Sequence, residues 1–204
     1  VTAAQQVSRA TGLDTLLRIE NLVGSAFDDN LTGTSSQNAL LGGLGNDTLS
    51  GDAGADSLDG GDGNDSLSGG MNADTLVGGI GDDWLGGGQG TDSLAGGDGV
   101  DTLIGGLGTD LLIGGAGADR FVFRHVLDGS VNIDTLVDLQ SGVDVVELSA
   151  TIFSAFAGST GLQIGLGRHL GYDAATGRLT YDDDGTGQAV VFAIVGVAGL
   201  TVAH

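Results

Sequence analysis

Cysteine, proline and lysine are all missing from these 204 residues, and tryptophan and methionine occur once each. Without cysteine there is no disulfide framework, so a thin domain needs some other staple. The only six basic residues are arginines, set against 27 acids, and the formal charge is −21. That balance argues against nucleic acid and against anionic membranes as partners. No apolar run approaches the ~20 residues of a membrane span, and no basic segment leading into an apolar one marks a secretory leader. Aromatic residues make up only 4% of the chain, which speaks against a conventional packed core along its whole length.

Glycine is what the chain has instead: 41 residues, far above the usual ~7%. With no proline and no three-residue period, collagen is excluded, and an apolar content of 40% fits poorly with a disordered tail. Opening at Val1, the chain reads as a fragment of a longer protein.

The glycines are periodic. Residues 24–122 divide into eleven consecutive nonapeptides without insertion. The clearest unit runs Gly42-Gly43-Leu44-Gly45-Asn46-Asp47-Thr48-Leu49-Ser50, and units from Gly60, Gly78, Gly87, Gly96 and Gly105 follow it. The unit at Gly51 carries Asp52 in second position and that at Gly69 carries Asn72 in fourth, both residue types that tolerate unusual turn dihedrals. The unit at Gly114 ends around Phe121 in place of leucine. Units from Gly24 and Gly33 are degraded but keep Asp29 and Asn38 in sixth position, and Ile19-Glu20-Asn21-Leu22 is a weaker echo before them.

Each unit predicts a glycine-rich turn followed by a very short strand with one inward apolar side chain. Leu49, Leu58, Leu67, Leu76, Leu85, Leu94, Leu103, Leu112 and Phe121 then form an inward ladder. Two units complete a coil, so units stack on alternate sides at about the 4.8 Å strand spacing. Stacking sorts the sixth-position side chains into two columns. Asp29, Asp47, Asp65, Asp83, Asp101 and Asp119 make one; Asn38, Asp56, Asp74, Asp92 and Asp110 make the other.

Bare carboxylates ~5 Å apart repel by roughly 1 kcal/mol in water and by ~3 kcal/mol at an effective dielectric constant near 20. No Lys or Arg lies between Val23 and Asp119 to neutralise them. A hard cation held by carboxylates and backbone carbonyls can, and Ca²⁺ suits such flexible sites better than Mg²⁺. Zinc is disfavoured because the repeats contain neither His nor Cys. Asx-turn capping explains one isolated Asp but not nine in phase. The GxGxxG-like matches are by-products of the repeat, lacking the strand and helix of a dinucleotide site.

These units resemble the RTX (repeats-in-toxin) nonapeptide. The resemblance implies an all-β fold, a parallel β-roll followed by a C-terminal β-rich capping region, with Ca²⁺ between turns two units apart. It divides the chain into a lead-in (1–23), the roll (24–122), and a cap with a secretion-signal region (123–204). It also implies that each ion takes Asp from two turns, second- and fourth-position carbonyls from one, and first- and third-position carbonyls from the other. Between Asp47 and Asp65 those carbonyls are Gly43, Gly45, Gly60 and Asp62. Along the roll the same rule enlists Gly61, Gly63, Gly79, Gly81, Gly88, Gly90, Gly97, Gly99, Gly106, Gly108, Gly115 and Gly117. Counting 18-residue pairs from Asp29 gives five sites on one side and three on the other, with Asn38 and Asp56 as a weak extra. About eight ions would cut the charge from −21 to about −5.

Beyond Val122, Asp119-Arg120-Phe121-Val122-Phe123, Ile133 to Leu139 and Gly142 to Ser149 resemble the segments that follow RTX rolls in type I secreted proteases, lipases and adhesins. By that resemblance Asp128, 18 residues after Asp110, and Asp134 are ligands of the last site; as bare sequence, both read equally well as loop caps. Arg178 to Tyr181 and Gln188 to Val195 alternate as antiparallel strands around an acidic turn, Asp182 to Gly187. An EF-hand is excluded there because its twelfth position is Ala193. The cap's core is expected from Phe121, Phe123, Leu136, Val145, Phe153, Phe156, Phe192 and Ile194.

The leading functional expectation is a Ca²⁺-driven folding module that supports type I secretion and stability of a larger extracellular protein, with the secretion machinery as its partner. A Ca²⁺-dependent adhesin or surface-layer anchor, meeting cell-surface components, is the alternative. A third reading is the tail of a secreted protease or lipase. The chain itself shows no HExxH or GxSxG, and His125, His169 and His204 stand apart, so no enzyme activity is expected of it.

Overall fold

A nonapeptide with a single apolar side chain can bury only that side chain, so its strands close a core only by stacking on copies of themselves. The computed structural model shows that arrangement over residues 5–6, 20–124, 132–140, 143–148, 170–173, 176, 178–181 and 190–195, the residues described below. Its lead-in strands are β1 (Gln5–Gln6), β2 (Asn21–Val23) and β3 (Asn30–Thr32). The repeats form β4 (Ala39–Leu44), β5 (Thr48–Ala53), β6 (Ser57–Asp62), β7 (Ser66–Met71), β8 (Thr75–Ile80), β9 (Trp84–Gly90), β10 (Ser93–Asp98), β11 (Thr102–Gly108) and β12 (Leu111–Ala116). After them come β13 (Arg120–Phe123), β14 (Asp134–Leu136), β15 (Val145–Leu148), β16 (Leu170–Asp173), β17 (Arg178–Tyr181) and β18 (Val190–Val195).

Even-numbered strands β2 to β14 line up in one sheet and odd-numbered strands β3 to β15 in the other, all parallel. The register is 18 residues through the repeats: Leu49 lies beside Leu67, and Leu58 beside Leu76. The fold is therefore the all-β parallel roll expected, without a helix among the described residues. From Leu31 to Leu112, every leucine of the ladder is at most 2% exposed, and both sheets share this single core. The ladder starts one strand before Gly24, because Leu22 of β2 stacks on Leu40.

The strands are longer than the sequence pattern suggests. Pairing runs through the two leading glycines of the next unit, as from Thr75 to Ile80, and only Gly81 to Asp83 and their equivalents remain as the turn. A parallel ladder is made of backbone bonds, so it continues where side chains vanish. Positive φ is confined to the second and fourth positions of the unit. Asp52 and Asn72 adopt it too, at 77° each, in keeping with their residue types.

Past β12 the step changes. Leu112 pairs with Leu136 in β14, and Phe121 with Val146 in β15, so insertions enter the coil while the ladder persists. Val146, not Val145, is the buried residue there, because the register with Phe121 sets which side chain faces inward. Phe121, Phe123 and Leu136 are buried as expected, and Leu139 and Leu179 join them. β18 extends the even sheet in parallel from β14 and then pairs antiparallel with β17, which pairs with β16. The turn from Asp182 to Gly187, Phe153, Phe156 and the side chains of Phe192 and Ile194 lie outside the described residues.

Candidate metal centre

The repeat places one Asp at the end of each turn, immediately before the strand that buries its leucine. Because that strand is anchored on both flanks, the Asp side chain is carried inward: all nine from Asp47 to Asp119 are at most 3% exposed. One oxygen of each is accounted for. The Asp29 N–H donates to Asp47 Oδ1 at 2.7 Å and Asp47 N–H to Asp65 Oδ1 at 2.7 Å. Asp65, Asp83 and Asp101 continue that column onto Asp83, Asp101 and Asp119 at 2.8–3.0 Å. In the second column Asn38, Asp56, Asp74 and Asp92 donate in the same way to Asp56, Asp74, Asp92 and Asp110 at 2.7–2.9 Å.

The other oxygen is not. Oδ2 of Asp47, Asp56, Asp65, Asp74, Asp83, Asp92, Asp101 and Asp119 is buried and accepts no hydrogen bond. A buried carboxylate oxygen without a donor is costly, because desolvation is uncompensated. The pKa values register that cost. Burial first, then neighbouring carboxylates, push Asp47, Asp74 and Asp101 up to about 6, and Asp83 and Asp92 up to about 7.

Backbone carbonyls converge on the same intervals. A Cβ on Gly42 would collide with both Asp47 Oδ2 and the Gly60 carbonyl, so these two oxygens share the space beside Gly42. A Cβ on Gly61 would strike the Gly43 carbonyl, and one on Gly63 the Gly45 carbonyl, so both point from one turn toward the next. The Asp62 carbonyl points back and accepts the Gly45 N–H at 2.9 Å, leaving it a second lone pair. The interval between Asp47 and Asp65 thus gathers two carboxylates and the four carbonyls expected there. The collisions recur at Gly78 and Gly79, Gly87 and Gly88, and Gly96 and Gly97, which spreads the arrangement along the roll.

Among the described residues no three carboxylate, imidazole or thiol side chains cluster, so the donor set is carboxylate pairs plus carbonyls. An all-oxygen set with flexible backbone ligands is what Ca²⁺ takes; it offers zinc no nitrogen or sulfur.

The ends differ from the interior. Asp29 and Asn38 stand in their columns, but their side-chain oxygens accept hydrogen bonds from Ser25 and Thr34 within the same turn. Asp110 is followed by Asp134, 24 residues on, whose Oδ1 accepts the Asp110 N–H at 3.1 Å. Asp128 lies outside the described residues, and the rung that the 18-residue step assigned to it is held by Asp134. Burial, then the facing Asp110 carboxylate, pushes Asp134 up to about 8. Asp119 is followed by Asp144, which accepts its N–H at 3.0 Å, 25 residues on. The 18-residue rule misses Asp144, although Gly142-Val143-Asp144 stands out as a GxD segment. A second, exposed ladder also escaped the pattern: Asp28, Asn46, Asn64 and Asp82 accept N–H groups from Asn46, Asn64, Asp82 and Val100 on one side of the roll. His125, His169 and His204 lie outside the described residues.

A parallel β-roll whose turns enclose paired carboxylates and converging carbonyls is a metal-stapled solenoid. The family model of the RTX calcium-binding nonapeptide repeat matches residues 18–49, 50–85 and 86–121, and the chain belongs to this calcium-binding family. No curated protein sequence matches the chain. Among solved structures it is similar to the extracellular lipase LipA from Serratia marcescens, at 15% identity and a TM-score of 0.38. The match covers 91% of this chain and 39% of the lipase, so the chain spans well under half that protein's length.

Proposed function

We propose that the chain is a folding module that stays extended where free Ca²⁺ is scarce and winds into its roll on reaching extracellular Ca²⁺. It would thereby support type I export and the stability of a larger secreted protein. The observation that carries this reading is the row of eight buried Oδ2 atoms without donors, seven of which, from Asp47 to Asp101, share their space with a backbone carbonyl of the next coil. Without cations these columns repel, and a core one leucine wide has little with which to offset them. With cations, the binding free energy becomes folding free energy. One ion per donor-free Oδ2 gives at least eight ions. An unfolded acidic chain suits threading through a type I exporter, and folding at the exit hinders its return. The chain has no catalytic role in this reading, and protease, lipase and esterase assays on it are expected to be blank.

Far-UV circular dichroism in chelator, in ~5 mM Mg²⁺ and in ~5 mM Ca²⁺ tests it. The expected result is a disordered spectrum in the first two and a β spectrum in the third. A β spectrum in chelator would overturn the proposal.

A further inference from the structure

The roll departs from its own rule at its first two turns. Second-position residues in the regular units have φ from 77° at Asp52 to 123° at Gly97, and the Gly43 carbonyl faces the next turn. Ser25 and Thr34 hold that position in the first two units, and neither has positive φ. Their N–H groups turn inward instead. Ser25 donates its N–H to Asp29 Oδ2 at 2.6 Å and its hydroxyl to the same oxygen at 2.8 Å. Thr34 donates its N–H to Asn38 Oδ1 at 2.6 Å. At the opposite end the Gln140 N–H donates to Asp144 Oδ2 at 2.6 Å, across the same four-residue separation.

Donors that fill an oxygen's lone pairs exclude a cation from it, whereas Oδ1 of a column carboxylate such as Asp83 accepts one N–H and keeps a second lone pair. An N–H or O–H presents positive charge where a cation would sit, and it satisfies the lone pairs that would ligate it. We propose that the second position of each turn selects how the sixth-position side chain is satisfied. Glycine, or a residue tolerating positive φ, leaves it to a cation; serine or threonine closes the turn with its own donors. Asp29 and Asn38 are therefore not cation ligands, and the first coil is a cation-free end piece. The first ion of the odd column lies between Asp47 and Asp65, and Gln140 closes that column beyond Asp144.

This inference rests on the calcium reading, and the test separates the two. Native mass spectrometry of the full chain at saturating Ca²⁺ counts bound ions in the wild type, D29A, D83A and the double variant S25G/F27G. D29A is expected to keep the wild-type number. D83A is expected to lose two, because its two oxygens serve the intervals on either side. S25G/F27G restores glycine at the second and fourth positions, frees Asp29 Oδ2, and is expected to bind one ion more. A wild type that binds no Ca²⁺ defeats the calcium reading itself. A wild type that binds, with D29A losing an ion or S25G/F27G gaining none, defeats this inference alone. Should D29A fail to fold, the double variant decides.

Discussion

Asp83 shows how much one residue carries. It is 3% exposed, its Oδ1 accepts the Asp65 N–H at 2.8 Å, and its Oδ2 has no donor. The neighbouring Gly78 is needed for room: any Cβ there would strike Asp83 Oδ2 and the Gly96 carbonyl, two oxygens of one interval. Its φ is not positive, so Gly78→Ala adds bulk without left-handed strain. The variant is expected to weaken Ca²⁺ binding at that interval by roughly tenfold or more, about 1.4 kcal/mol. A calorimetric Ca²⁺ titration checks this, and an unchanged isotherm would remove Gly78 from the site. At this scale much was legible in the sequence. The sixth-position Asp, the unusual turn residues Asp52 and Asn72, and the carbonyl-bearing glycines all lie where the nonapeptide puts them. Ser25 and Thr34 were not legible as closures, because a hydroxyl in a degraded repeat looks like loss of pattern until its donors are seen.

A strand in this fold is a leucine with two flanks, and its stability is shared with the neighbours above and below. Leu85 is fully buried between Leu67 and Leu103, so Leu85→Ala is expected to cost ~2–5 kcal/mol in the Ca²⁺-loaded protein. Denaturant melts in excess Ca²⁺ would measure it. Nearest-neighbour stacking was readable from the period of nine. The extent of each strand was not, because backbone pairing through Gly-Gly leaves no side-chain signature. Nor were the steps of 24 and 25 residues onto Asp134 and Asp144, since a ladder carried by backbone bonds tolerates insertions that break the text. The one-residue error at Val145 has the same origin: alternation identifies the strand, and only pairing with Phe121 decides its inward face.

For the whole molecule, the proposed folding module makes the charge of −21 its switch. In the metal-free fold Asp83 and Asp92 are pushed up to about 7 and Asp47, Asp74 and Asp101 to about 6, by burial first. The folded state then holds more protons than the unfolded chain, whose Asp titrate near 3.8. Its stability in chelator is therefore greatest below about pH 4 and falls as pH rises through 6 to 7. Thermal melts in chelator should accordingly show more residual structure at pH 4 than at pH 8. Calcium reverses the sign, because binding displaces those protons, and apparent Ca²⁺ affinity should fall as pH drops from 7 to 5.

The claim beneath all of this is that cations, and not the leucine file alone, hold the two Asp columns together. Residue-resolved hydrogen exchange at pH 7 addresses it directly, because the N–H of each Asp from Asp47 to Asp101 donates across a coil boundary onto the next rung. These amides are predicted to exchange at unprotected rates in chelator and to become protected together when Ca²⁺ is added. Protection of the same amides in chelator, at the level seen with Ca²⁺, would contradict the account.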